Sequence, residues 1–408
     1  MQDLKEILNE IYSRIDREKL LSELKPQRKA DYYLLECPSC HKKEAYLYDS
    51  GIYINCNRVN NCSYSKSIWD YVQENQGLSN QETLKYLADL SNYQLKNENY
   101  DEDKYLKFKE KGNLLEKALN FMKNSLWNQG KEILDYLKTR GYKEEEIKLM
   151  EVGYFPEQKT LQEYLKQEGF STDLINNSGL NTKGMGTSHK LAIPYRDSNG
   201  VLKGFIVRSL LNDSELEEIK EKKYKYTYGL EKDSLFNIHQ AKKSKDLIIV
   251  EGYLDCLIAQ VRGLKGVVGT GGNTLTETQL DNAVKLGIKH FIIALDNDKA
   301  GKTGTEKAVK KISQKDLKAF VVKLPTGFKD PDELIKEEGV EAFSELVKKA
   351  ESGIKWLACY LLEKHNFLST DINRDEALEE AISYAETIFE PLLAHDYLKT
   401  VTELLEIS

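Results

Sequence analysis

The sequence of 408 residues predicts a multidomain protein of mixed α+β and α/β class. Three observations predict this class. Four of the six cysteines lie between positions 37 and 62, strand-like and helix-like runs alternate between 246 and 325, and helical periodicity extends from about 340 to the end. At about 150 residues per domain, the length also favours two or three domains.

Changes in composition along the chain predict five segments. We expect a cysteine-containing domain at 1–90, a linker at 91–113, a helical and β-containing segment at 114–245, a parallel α/β domain at 246–340 and a helical C-terminal subdomain at 341–408. The second segment is polar, highly charged and without a clear period, which is typical of a linker. In the third segment, a turn at Ser198-Asn199-Gly200 between apolar runs predicts a β-hairpin.

The composition is that of an ordinary globular protein, with 31% charged and 40% hydrophobic residues. The net charge of -7 argues against a protein that coats nucleic acid through bulk charge, although a local basic face is compatible with it. No apolar run approaches the roughly 20 residues of a membrane span, and the N-terminus does not resemble a signal peptide. We therefore expect a cytoplasmic protein with no membrane partner.

Two thiol pairs, Cys37-x2-Cys40 and Cys56-x5-Cys62, flank a short β-rich insert. Four thiolates suit one tetrahedral zinc ion, and such a closed site is structural rather than catalytic. In a small module the metal would also supply folding energy. The alternatives are four buried cysteines that cluster by chance, and His41 in place of Cys40 as a ligand.

Carboxylates follow three successive apolar runs between 246 and 335. They are Glu251 and Asp255 after LIIV, Asp296 and Asp298 after FIIAL, and Asp330 and Asp332 after AFVVKLP. Because the carboxyl ends of parallel strands share one edge of a sheet, we expect these acids to converge. Converging carboxylates repel one another unless a divalent cation neutralises them, which indicates magnesium or manganese. Taken singly, each acid has helix capping as its alternative role.

The motifs that carry these acids resemble the Toprim domain of bacterial DnaG-type DNA primases. The resemblance comprises IIVEGYLDCLIA, VVGTGG, FIIALDNDKAG and DPDELI, and it extends through YLKTRGY, HKLAIPYRDSNGVLKGFIVRSL and the closing helical segment. It covers nearly the whole chain, with a zinc ribbon, a linker and a Toprim domain in the family's order. It implies that 246–340 is a Toprim domain and that 114–245 is the N-terminal part of an RNA polymerase domain.

The resemblance also implies roles for individual residues. The six acids match the family's metal-binding acids, of which Glu251, Asp296 and Asp298 are expected to be catalytic. Arg140 in YLKTRG and Arg208 in FIVRSL match arginines near the template or the incoming nucleotide. Lys225 falls where the family has a nucleotide-contacting lysine, although a solvated charge explains it equally well.

The activity that the resemblance implies is that of a DNA primase, which makes short RNA primers on single-stranded DNA for replication. Its substrates would be ribonucleoside triphosphates, with a replicative helicase as a further candidate partner. Cys40 and the wide final cysteine pair are more similar to primases of phages and mobile elements. Two alternatives remain open: a Toprim-type metal-dependent nuclease or topoisomerase-like enzyme, and a non-catalytic nucleic-acid adaptor.

Overall fold

The computed structural model describes residues 4–57, 62, 64–95, 102–241, 244–366, 371–388 and 390–405. The chain divides into two compact units, Met1–Glu231 and Lys232–Ser408. Within the described ranges, no helix is both long enough and apolar enough to cross a membrane. Two antiparallel sheets and one largely parallel sheet confirm the prediction of a mixed α+β and α/β chain.

The N-terminal part of the first unit contains an antiparallel sheet of five short strands, β1 to β5, in sequence order. The strands are Gln27–Arg28, Tyr32–Leu35, Ala45–Tyr48, Tyr53–Cys56 and Ser65–Ser67. Helices α1 to α4 accompany them at Leu4–Arg14, Arg17–Leu20, Ile68–Gln76 and Asn80–Leu90. Ile11 of α1, Leu47 of β3 and Trp69 of α3 are among the fully buried side chains of their common core.

The rest of the first unit contains a four-stranded antiparallel sheet in the order β6-β7-β8-β9. Its strands are Gly153–Tyr154, His189–Arg196, Leu202–Ser209 and Tyr224–Tyr226. Helices α5 to α10 lie at Glu102–Asn128, Lys131–Thr139, Glu144–Leu149, Gln158–Gln167, Thr172–Asn177 and Asp213–Glu218. Strands β7 and β8 form the predicted hairpin, and Gly200 supplies the left-handed conformation of its turn with φ 80°.

Helix α5 corrects the linker prediction for 91–113, because it begins at Glu102 inside that segment. This stretch has no apolar period, and two of its described contacts with the cysteine-containing sheet and helix α3 are polar. Lys109 forms an ion pair with Asp70 at 2.5 Å. The hydroxyl of Tyr53 donates to Asn113 over 3.4 Å. The apolar stripe of α5 starts only at Leu114, which is fully buried.

The second unit contains a five-stranded sheet in the order β11-β10-β12-β13-β14. The strands β10 to β14 are Asp246–Val250, Val267–Gly269, His290–Ile293, Lys318–Val321 and Glu351–Ser352. The first four are parallel and β14 is antiparallel. Helices α11 to α19 lie at Ile238–Ala241, Tyr253–Val261, Glu277–Lys285, Lys299–Ser313, Pro331–Glu338, Val340–Lys348, Gly353–His365, Asp371–Ala385 and Pro391–Leu404.

The boundaries of the second unit differ from the predicted ones. It begins before 246, because Leu235 belongs to its core and Phe236 pairs with Gly269 of β11. The segment predicted to be helical from 341 onward also includes the short strand β14. Its helices share one apolar core with the parallel sheet, in which Leu357 of α17 and Val401 of α19 are buried. The C-terminal helices are therefore part of the same compact unit as the sheet.

A buried ion pair joins helix α5 to the hairpin of the first unit. Arg196 at the end of β7 contacts Glu116 of α5 at 2.5 Å and Glu151 at 3.2 Å. The side chains of Arg196 and Glu116 are 7% and 3% exposed, so both charges are removed from water. Removing one partner of such a buried pair strongly destabilises a fold, because the other charge stays buried without compensation. Replacing both partners by apolar side chains often costs little.

We expect Arg196→Met to lower the free energy of unfolding of the first unit by about 3–5 kcal/mol, because Glu116 would remain buried without its main partner. Urea denaturation would measure the loss. The double variant Arg196→Met with Glu116→Leu should recover most of it. A double variant no more stable than the single one would show that the ion pair is not the cause.

Candidate active site and cysteine cluster

The sheet of the N-terminal module brings the two thiol pairs to one place. Ala45 pairs with Leu35 on one side and with Cys56 on the other, so the ends of β2 and β4 lie together. All four predicted sulfur atoms, from Cys37, Cys40, Cys56 and Cys62, lie within 4.8 Å of one another. The cluster contains Cys40 and not His41, as the spacing predicts.

The sulfur positions fit a tetrahedral zinc ion. The Sγ atoms of Cys37 and Cys62 are 3.7 Å apart, and those of Cys40 and Cys56 are 3.8 Å apart. A zinc–sulfur bond length of about 2.3 Å corresponds to a sulfur–sulfur separation of about 3.8 Å. The backbone N–H of Lys42 lowers the pKa of Cys40 to about 7, which favours the thiolate form that binds metal. The cluster therefore has the donors and the spacing of a structural zinc site.

The parallel sheet of the second unit places the acids at the carboxyl ends of its strands. Glu251 directly follows β10, and Asp296 follows β12. Asp298 and Asp330 are the N-cap residues of α14 and α15. The backbone N–H of Asn297 donates to the carbonyl of Lys329 over 2.7 Å, so the two loops that carry these caps are bonded together.

The pKa values show that the carboxylates affect one another. Burial, followed by the charges of Glu251, Asp330 and Asp298, raises the pKa of Asp296 to about 7. Burial, followed by the charges of Asp298, Asp255 and Asp330, raises the pKa of Glu251. Five of the six predicted acids thus belong to one coupled group. The sixth, Asp332, is buried in the first turn of α15.

Three of the acids also cap helices, which was the alternative role for each of them. Asp298 accepts a hydrogen bond from the N–H of Gly301 at 2.8 Å, and Asp330 accepts one from Glu333 at 2.8 Å. Asp255 accepts from the N–H of Gly252 at 2.9 Å. Each of these bonds uses one carboxylate oxygen and fixes the side chain. Capping and convergence on a common site are therefore compatible.

Asp296 has a different environment. Its Oδ1 atom is buried and has no hydrogen-bond partner. Such an atom is costly unless a ligand satisfies it. Gly301 contributes to this environment, because an added Cβ there would lie 2.0 Å from the carbonyl oxygen of Asp296. The first turn of α14 can therefore approach the end of β12 closely.

The donor set of the acids fits a hard cation such as magnesium or manganese. In the described part of the chain, only the cysteines bring three or more ligand atoms within 4.8 Å of one another, so the acids are more widely spaced. Magnesium suits such a set, because it keeps several waters and takes only one or two carboxylates directly. Lys329, which sequence reasoning missed, lowers the pKa of both Asp296 and Glu251 and so offsets part of the repulsion.

The predicted arginines lie together in the first unit. Arg140 follows α6 and Arg208 lies on β8, and the guanidinium carbons are 6.0 Å and 5.3 Å from the ring centre of Tyr136. Tyr224 on β9 lies against Arg208 as well, at 5.3 Å. Neither tyrosine was singled out from the sequence.

Lys225 does not have the environment of a solvated charge. Its ammonium group donates to the carbonyl of Lys183 at 2.6 Å and pairs with Glu221 at 2.8 Å. The side chain is only 15% exposed. A nucleotide contact by Lys225 stays a prediction.

Two family models match adjoining parts of the chain. The family described as the N-terminal domain of the DNA primase catalytic core matches residues 121–242, and the Toprim-like family matches 248–335. The DNA primase of Chlamydia muridarum (strain MoPn / Nigg) is 26% identical over 287 residues, which cover 68% of this chain and 47% of that protein. The chain thus spans about half the length of this curated relative.

Two solved structures show the same fold. The zinc-binding and RNA polymerase domains of Aquifex aeolicus primase match with a TM-score of 0.67 at 24% identity, covering 100% of this chain and 98% of that one. A DnaG primase catalytic domain bound to single-stranded DNA matches with a TM-score of 0.60 at 22% identity, covering 74% of this chain and 98% of that one.

The fold and the two sites define a class, a Toprim-containing protein with an N-terminal four-cysteine module. Within that class the chain is similar to the bacterial DnaG-type DNA primases, as the resemblance in its motifs predicts.

We expect one zinc ion per chain in the purified protein, measured by atomic emission. Cys56→Ser should lose the metal and lower the melting temperature of the first unit, because the metal contributes folding energy there. The matched control is Cys359→Ser, which alters a cysteine outside the cluster and should keep the zinc. Equal zinc content in the two variants would contradict the assignment.

We also expect the metal-free second unit to lose stability as the pH rises from about 4 to about 7, with little further loss above that range. An acid with a raised pKa binds its proton more tightly in the folded state, so folding is penalised once that proton is lost. Asp296→Asn should therefore stabilise the unit by about 1 kcal/mol at pH 8, discounted for partial exposure, and by less at pH 5. Thermal melting in a chelating buffer at both pH values would measure this. A variant less stable than wild type at pH 8 would contradict it.

Proposed function

We propose that this protein is a DNA primase, a template-dependent RNA polymerase that makes short RNA primers on single-stranded DNA. The observation that carries the proposal is the coupled group of carboxylates around the buried, unbonded oxygen of Asp296. The matches to the primase catalytic core and to the Toprim-like family support it, as does the similarity to the DNA primase of Chlamydia muridarum.

Glu251, Asp296 and Asp298 would hold magnesium or manganese, with Asp255, Asp330 and Asp332 as supporting acids. When bound, the cation supplies positive charge for the triphosphate and lowers the barrier to attack by a primer 3′-hydroxyl on the α-phosphate. The capping bonds of Asp298 and Asp330 keep these carboxylates in place before substrate arrives. Lys329 moderates their repulsion.

Arg140 and Arg208 would bind phosphate groups of the template or of the incoming nucleotide. Arg208 is 8% exposed, and its Nε atom is buried without a hydrogen-bond partner. None of the ion pairs among the described residues gives Arg208 a carboxylate partner. A buried guanidinium without a counter-charge favours an anionic ligand. Lys225 would bind a nucleotide phosphate in place of its present ion-pair partner, Glu221.

The remaining partners follow from the same proposal. The substrates are ribonucleoside triphosphates and a single-stranded DNA template. A structurally similar DnaG primase catalytic domain was solved in complex with single-stranded DNA. The zinc module would contact the template, a replicative helicase is a candidate partner, and the setting is the cytoplasm. Each of these assignments depends on the proposed primase activity.

We expect the purified chain to make short RNA from ribonucleotides on single-stranded DNA with magnesium. Asp298→Asn should lower the rate by about 100-fold or more, because it removes a charge from the site. Asparagine caps a helix as well as aspartate does, so α14 should stay intact. Gel separation of labelled products would measure the rate, and filter binding would show DNA affinity largely unchanged.

The matched control is Asp16→Asn, which makes the same change at the N-cap of α2 in the first unit. It should leave synthesis unchanged. Shortened DNA without RNA would replace the proposal with a nuclease, and a wild-type protein that forms neither product would contradict a self-sufficient polymerase.

A further inference from the structure

One face of helix α6 is directed at the hairpin sheet of the first unit. Glu132, Tyr136 and Arg140 are spaced four residues apart, so they lie on the same side of the helix. Glu132 pairs with Lys190 of β7 at 2.8 Å. The helix ends at Thr139, Arg140 is its C-cap residue, and Gly141 follows in the left-handed region with φ 85°. Tyr136 thus lies between an ion pair that docks the helix and the arginine at its end.

Tyr136 contacts the two arginines through different parts of its side chain. Nη1 of Arg140 donates to the Tyr136 hydroxyl over 3.3 Å. The guanidinium of Arg208 lies 5.3 Å from the ring centre, within the range of a cation–π interaction. The hydroxyl therefore orients one arginine and the ring orients the other.

Arg208 is also held from the opposite side. Tyr224 is its direct partner across the β8–β9 ladder. Nη1 of Arg208 donates to the Tyr224 hydroxyl over 2.6 Å, and the Tyr224 ring centre is 5.3 Å from the guanidinium carbon. Two tyrosine rings thus fix a guanidinium that is itself 8% exposed.

The choice of tyrosine has an electrostatic consequence. A carboxylate at either position would orient Arg208 equally well but would neutralise its charge. Neutral tyrosines orient the guanidinium and leave its charge for a ligand. Two guanidinium groups near one ring repel each other, so the arrangement is most favourable when an anion with several oxygens lies between or beside them.

We propose that Tyr136 is a positioning residue that holds Arg140 and Arg208 as a pair for binding phosphate, and that Tyr224 completes the support of Arg208. This inference rests on the proposed function, which supplies two sources of the same chemistry. The phosphate is that of the template backbone or that of the incoming ribonucleoside triphosphate.

The test uses the full chain and three variants. Tyr136→Phe removes only the hydroxyl that contacts Arg140, whereas Tyr136→Leu also removes the ring that faces Arg208. The matched control is Tyr164→Phe, which removes a hydroxyl from a tyrosine whose ring stacks on Phe121 at 4.2 Å. Melting temperatures and circular dichroism would be measured for all four proteins.

Two binding measurements separate the sources of phosphate. Steady-state primer synthesis gives KM and kcat for the ribonucleotides, and fluorescence anisotropy gives Kd for a labelled single-stranded DNA. We expect Tyr136→Phe to raise one of these constants about threefold and Tyr136→Leu to raise the same constant about tenfold. A rise in KM assigns the pair to the triphosphate, and a rise in Kd assigns it to the template backbone. The control should match wild type.

Other results would overturn the inference without touching the proposed function. Wild-type levels of KM and Kd in Tyr136→Leu, or a loss confined to kcat or to melting temperature, would show that Tyr136 does not prepare a phosphate site. A wild-type protein that makes no RNA would instead contradict the proposed function, and the Kd measurement on single-stranded DNA would still test the arginine pair.

Discussion

Repulsion among carboxylates at one edge of the parallel sheet is the constraint on which the candidate site depends. The sheet directs Glu251 and Asp296 to the same edge because both follow parallel strands. Burial, followed by the charges of the neighbouring acids, raises the pKa of Asp296 to about 7. One of its carboxylate oxygens is also buried without a hydrogen-bond partner. A fold gains no stability from such an arrangement, and clustered acids with shifted pKa values are typical of functional sites.

The structure limits the cost of this repulsion through local bonds. Asp298 and Asp330 each use one oxygen to cap a helix, which compensates part of the energy lost by bringing them together. The N–H of Asn297 bonds to the carbonyl of Lys329, and this bond joins the loops after β12 and β13. Helix capping therefore leaves the second oxygen of each carboxylate available to the candidate site, so the two roles are not alternatives.

Sequence reasoning succeeded where the signal was local. The cysteine spacing predicted a cluster that the sheet assembles. Five of the acids that follow the apolar runs influence one another's pKa values, which is consistent with the shared edge that parallel topology predicts. It failed for α5, because the sequence at the start of that helix carries no apolar period, and polar contacts such as the ion pair of Lys109 with Asp70 leave no such pattern. It also placed the start of the second unit too late, since the pairing of Phe236 with Gly269 is not visible in a pattern.

Tyr136 and Tyr224 illustrate the same difference between local and long-range signals. Tyr136 stands four residues before Arg140, so helical spacing alone could have indicated their contact. Tyr224 reaches Arg208 only through the register of β8 and β9, which a long intervening segment separates in sequence. Lys329 was overlooked for a similar reason, because it acts on acids that follow other strands.

The most direct test of the central claim is hydrogen exchange of the amides in β10 and β12 at pH 8, with magnesium chloride and with sodium chloride of equal ionic strength. The account predicts that magnesium slows exchange in both strands of the wild-type protein and has no such effect when Glu251→Gln and Asp298→Asn are combined. Equal protection by the two salts, or undiminished protection by magnesium in the double variant, would show that a divalent cation does not relieve the repulsion of these acids.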